Sequence, residues 1–121
     1  MEIVINDARK VYAIQKEFSK MFPFLKLEFS AKPHTSSGAS PDKKTSVSPS
    51  KTIRECRTVH TAGILTITAH MTISDLDEIL NDNLGLSVRI FQKSGSAWLE
   101  VTTNMIPLEK LNVPIAETTL N

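Results

Sequence analysis

Cys56 and His60 stand four residues apart, the spacing at which a helix would bring a thiol and an imidazole together as nucleophile and base. No orienting acid is specified, and Thr58-Val59 is poor helix material, so an ordinary cysteine is expected and a thiol enzyme ranks third among the functions considered. His34, Cys56, His60 and His70 carry zinc-binding atoms without a finger-type spacing. Asp75, Asp77, Glu78 and Asp82 cluster without the glycine and closing glutamate of a calcium loop. No phosphate-cradling glycine loop, nucleophile elbow or metalloprotease motif occurs. The expectation is a chain with no catalytic residues, no metal and no cofactor.

Two sets of residues carry binding chemistry instead. Lys43, Lys44, Lys51, Arg54 and Arg57 could hold a phosphate backbone, since lysine and arginine supply sequence-independent affinity for nucleic acid. Their serine-rich surroundings favour a solvated linker, and Ser40-Pro41 and Ser48-Pro49 could accept phosphate from a suitable kinase. Phe91 and Trp98 form the sharper set. On the open face of a sheet, with Arg89 and Glu100 beside them, they could stack bases or anchor a protein partner. The alternative is that Ile106, Leu108 and Leu111 fold back and cover them.

The elements that must position these residues are written in the spacing of apolar side chains. Thr72 with Asp75 three residues on resembles a capping box, and Met71 with Leu76 a hydrophobic staple. Ile73, Leu76, Leu80 and Leu84 then recur at helical spacing, with Asn83 and Gly85 as a left-handed stop. Leu86, Val88 and Ile90 alternate with polar residues, as do Leu99 and Val101. A two-residue turn on Ser94-Gly95 pairs Phe91 with Trp98, Arg89 with Glu100 and Ser87 with Thr102, while Ile90 meets Leu99 on the other face.

The first half reads the same way. Ile3 and Ile5 suggest a strand, and Asn6 or Asp7 could cap a helix with Val11, Ile14, Phe18 and Phe22 inward, ended by Pro23. Leu25, Leu27 and Phe29 mark a one-sided strand, and Leu65 and Ile67 another. A shift of 62 lays the first helix over the second, and a shift of 61 lays Leu25, Leu27 and Phe29 over Leu86, Val88 and Ile90, a match in pattern that internal duplication would produce and that two unrelated strand–helix–strand units would also show. Residues 32–50 have almost nothing to bury and are expected to form a mobile loop; 51–57 suggest one or two helical turns. Pro107 suits a helix start, and 113–121 reads as a flexible tail. The expected fold is a single α+β domain over 1–121, a two-layer sandwich. Two amphipathic helices lie on one face of a mixed sheet of about five strands, in loosely ferredoxin-like β-α-β-loop-β-α-β-β order.

The run Phe91-Gln-Lys-Ser-Gly-Ser-Ala-Trp98-Leu-Glu-Val-Thr-Thr, preceded by Met71-Thr-Ile-Ser-Asp-Leu, resembles a small family of uncharacterised bacterial domains with a helix, a basic-Ser-Gly turn and a Trp-Leu-Glu hairpin. The likeness covers the last third to half of the chain. It departs at Asn104-Met-Ile-Pro107, where that family places an acidic residue and a second tryptophan. It implies a small domain without an established activity, and no catalytic residues.

The totals bound what remains. Fourteen basic against thirteen acidic residues leave a net charge of +1 over 121 residues, which argues against a dedicated, strongly basic nucleic-acid binder. One cysteine allows no internal disulfide, and no basic, apolar leader or membrane span is evident, so a cytoplasmic protein is expected. The expected function is a non-enzymatic interaction or assembly module that binds an unidentified protein partner through Phe91 and Trp98. A nucleic-acid-binding accessory domain using the basic loop is the alternative, and no membrane partner is expected.

Overall fold

A computed structural model describes residues 1–30, 46–103 and 105–115. The elements in order are β1 (Glu2–Ile5), α1 (Val11–Met21), β2 (Leu25–Ser30), a single 3-10 turn (Ile53–Cys56), β3 (Gly63–Thr66), α2 (Ile73–Leu84), β4 (Ser87–Ser94), β5 (Ala97–Glu100) and α3 (Leu108–Leu111). Helices packed on sheets make it a two-layer α+β sandwich.

Helix α2 begins and ends as its residues dictate. Thr72 Oγ1 accepts the Asp75 N–H at 3.1 Å, and Asp75 Oδ2 accepts the Thr72 N–H at 3.1 Å. At the other end Gly85 sits at φ 66°, where a side chain would be strained, and a Cβ there would lie 3.2 Å from that of Val59. Helix α1 is capped differently. Its N-cap is Lys10, whose side chain makes no cap, rather than Asn6 or Asp7. The free N–H groups of Val11 and Tyr12 go to the carbonyls of Lys51 (2.9 Å) and Pro49 (3.1 Å). Residues 46–50, expected within the mobile loop, are therefore held: they serve as a backbone cap, and Val47 packs against the core.

The strands form two antiparallel sheets, β1-β3 and β2-β4-β5, which corrects the expectation of one mixed, ferredoxin-like sheet. The reason lies on the edge of β2. A β-α-β unit with both strands in one sheet would seat β1 or another strand there. Instead the edge carbonyls are taken: Gln15 Nε2 donates to Leu27 O (2.8 Å), Ser19 Oγ to Leu25 O (3.2 Å), and Val47 N–H to Phe29 O (2.7 Å). Like strands pair across the halves. The shift of 62 carries Ile3 onto Leu65, its register partner in β3; the shift of 61 carries Glu28 onto Arg89, its register partner in β4. Antiparallel pairing of equivalents at a shared centre is the relation an approximate two-fold axis imposes.

One core serves both sheets. Ile3, Ile5 and Leu65 from the small sheet and Leu25, Leu27, Phe29, Val88 and Ile90 from the large one meet Val11, Ile14 and Phe18 of α1 and Ile73, Leu76 and Leu80 of α2. Leu108 and Leu111 of α3 join this core.

The hairpin turns at Gly95-Ser96, not Ser94-Gly95. Ser94 pairs with Ala97, Lys93 with Trp98, Gln92 with Leu99 and Phe91 with Glu100. Glycine at φ 59° takes the first central position, and among the described residues none but Gly85 shares a positive φ. That is the demand of a type II′ turn, whereas a type I′ turn on Ser94-Gly95 would force Ser94 left-handed. A displacement of two keeps each side chain on its expected face but changes its neighbour. Leu99 stays 49% exposed, on an edge that outruns the core.

Candidate functional site

The open face of the large sheet carries Lys26 and Glu28 from β2, Arg89, Phe91 and Lys93 from β4, and Trp98 and Glu100 from β5. The shifted register separates the two aromatics that the sequence pairs. Phe91 faces Glu100 and is half-buried, with the Arg89 guanidinium 5.1 Å from its ring centre. Arg89 itself donates to Glu100 through Nε (3.2 Å) and Nη2 (2.7 Å), so this expected partnership forms, diagonally. Its Nη1 reaches Ser46 Oγ at 3.3 Å. Glu28 accepts from that hydroxyl and pairs with Lys26 Nζ at 3.0 Å. Burial works to raise the Glu28 pKa, but the hydrogen bonds from Ser46 and Lys26 and the nearby Arg89 charge hold it below the ordinary value.

Of these two aromatics Trp98 is the more exposed, at 36%. Its ring reaches back across the sheet, with Lys93 Nζ 5.7 Å and Lys26 Nζ 6.0 Å from the ring centre. It shares a shallow groove of about 510 Å³ with Tyr12, Gln15, Lys16 and Ser19 of α1 and with Lys26. Tyr12, Lys16 and Lys20 recur at one-turn spacing on the solvent side of α1, and Tyr12 is 53% exposed. The segment suited to cover Trp98 is used elsewhere: Leu108 and Leu111 are buried in the core, and Ile106 is exposed. Tyr12, Lys16 and Lys93 are the site residues that hairpin pattern alone misses. The signal for the α1 pair is the polar stripe opposite Val11, Ile14 and Phe18.

The other candidates are dispersed or committed. Arg57, expected to be available for phosphate, has a fully buried side chain. Its Nε and Nη2 donate to Asp7 Oδ1 (3.1 and 2.9 Å) and its Nη1 to Leu84 O (2.7 Å). Lys51 pairs with Glu55 at 3.5 Å, Arg54 is exposed, and Lys43 and Lys44 lie outside the described residues, as do His34 and the tail beyond 115. Residues 113–115 of the expected flexible tail are held, with Ile115 N–H on Lys93 O at 2.8 Å. Cys56 and His60 are not brought together. The thiol donates to Thr52 O at 3.4 Å, while His60 Nδ1 lies 2.9 Å from Asp7 Oδ2. Burial, aided by the Glu55 charge, pushes the Cys56 pKa up to about 11, the opposite of an activated nucleophile. Asp75, Glu78 and Asp82 line the exposed side of α2, and no group of three His, Cys, Asp or Glu among the described residues could hold a metal ion. No described helix is long and apolar enough to cross a membrane.

No family model matches this chain, and no curated protein or solved structure matches it.

Proposed function

We propose that this chain is a non-enzymatic binding module that engages a protein partner through the groove between α1 and the open sheet face, with Trp98 as anchor. The observation that carries this is Trp98 left 36% exposed beside Tyr12 while the nearby apolar segment, Leu108 and Leu111, is spent on the core. Exposed tryptophans in concave, partly desolvated settings dominate interface energies, because one rigid side chain supplies a large contact area.

The test is capture of partners from the native lysate, with and without nuclease, by the wild-type protein and by Trp98→Ala. Partners that survive nuclease and are lost from Trp98→Ala support the proposal. The substitution should cost about 1–2 kcal/mol of stability, since part of the ring is already in water. A cost of about 3–5 kcal/mol would mark Trp98 as a core residue and end the proposal. Partners lost with nuclease would move the function to nucleic acid.

A further inference from the structure

Resting on the binding-module reading, we infer that the partner presents an acidic segment, with aspartates or glutamates flanking an apolar side chain, and that the lysines around Trp98 select it. The groove that holds Trp98 and Tyr12 is walled by Lys16 and Lys26, with Lys93 across the hairpin and Lys20 one turn along α1. Lys26 is balanced by Glu28, and Glu17 is paired with Arg9. Among the described residues Lys16, Lys20 and Lys93 make no ion pair, so the groove has a local positive excess in a chain of net charge only +1. Carboxylates placed around an apolar anchor complement that field.

Two features separate a protein partner from a nucleic-acid strand. The Lys26 and Lys93 ammonium groups lie 6.0 and 5.7 Å from the Trp98 ring centre, so a base stacked flat on the ring would have to share it with them. Glu17 and Glu28, fixed nearby by their own partners, would oppose a continuous phosphate backbone but leave room for separately spaced carboxylates. The sealed edge of β2 also excludes docking as an added strand on the groove side of the sheet.

Trp98 is the only tryptophan in the chain, so its emission reports on this groove directly. The probes are a random glutamate–leucine copolymer, a lysine–leucine copolymer and oligothymidylate, titrated against the whole protein. The expected result is a saturable emission change with the glutamate–leucine copolymer alone. It should weaken roughly tenfold in Lys16→Glu/Lys93→Glu, a variant that leaves Trp98 in place. If that variant does not fold, Lys16→Gln/Lys93→Gln should show a loss of about threefold. A response to oligothymidylate, no response to the acidic copolymer, or a response indifferent to both lysine variants overturns the inference. Should a nuclease-resistant partner still depend on Trp98 in any of those cases, the acidic partner fails while the binding module stands; if that dependence is absent too, both fail.

Discussion

Arg57 ties together separate segments at the small-sheet end of the molecule. One buried guanidinium joins Asp7, ahead of α1, to Leu84 O, the carbonyl at the negative end of the α2 dipole. Removing it would leave the Asp7 carboxylate without its strongest partner and a buried carbonyl unsatisfied, so Arg57→Ala should cost about 3 kcal/mol in urea denaturation. Burial works to raise the Asp7 pKa, yet hydrogen bonds from Arg57 and His60 and their charges hold it below its ordinary 3.8. A depressed folded value means that the folded state binds fewer protons than the unfolded one in that range. The stabilisation is therefore full above pH about 4 and is lost as pH falls through the folded value. Denaturation midpoints measured from pH 5 to pH 2.5 should fall more steeply in the wild type than in Asp7→Asn; equal slopes would show that this pair does not govern acid unfolding. Nothing in the spacing of Asp7, Arg57 and Leu84 announces this cluster. Arg57 reads as one more basic residue near a lysine-rich loop until tertiary contact buries it.

At the scale of elements, α2 is legible to the residue. Its cap, apolar stripe and glycine stop all follow from local rules that do not depend on the rest of the fold. The hairpin is half legible. Alternation assigns each side chain its face, but two turns compatible with one glycine differ by two residues of register, and only the sign of φ at Ser94 separates them. Helix α1 holds the least visible function. Gln15 and Ser19 resemble ordinary polar helix residues, yet they close the edge of β2 and so stop it from pairing with another strand. Gln15→Ala with Ser19→Ala should lower stability by about 1 kcal/mol per lost bond. It should also raise light scattering in concentrated solution; unchanged scattering would mean that the helix body alone protects the edge.

For the whole molecule, the pairing of like strands across the two halves makes the sheets interdependent. Neither ladder has a hydrophobic layer of its own, since α1 and α2 pack against residues of both. Unfolding should therefore be a single transition, with Trp98 fluorescence, which reports on the large sheet, and far-ultraviolet circular dichroism giving the same midpoint. Leu80→Ala, at a fully buried position, should move both together by about 3 kcal/mol. Midpoints that separate would show two independently stable units.

Local chemistry wrote what short stretches decide alone: where α2 starts and stops, which residues of β1 to β4 face the core, and that the open face would hold Phe91, Trp98, Arg89 and Glu100. Those features follow from dihedral preferences and from periods of 2 and 3.6, which any few consecutive residues express. Tertiary structure decided the rest: two antiparallel sheets in place of one mixed sheet, Arg57 drawn inside, 46–50 fixed as a helix cap, and Tyr12 and Lys16 brought beside Trp98. Each of these depends on which partner wins a backbone or charged group from far along the chain. That competition is settled by burial and satisfied hydrogen bonds, and no local pattern records it.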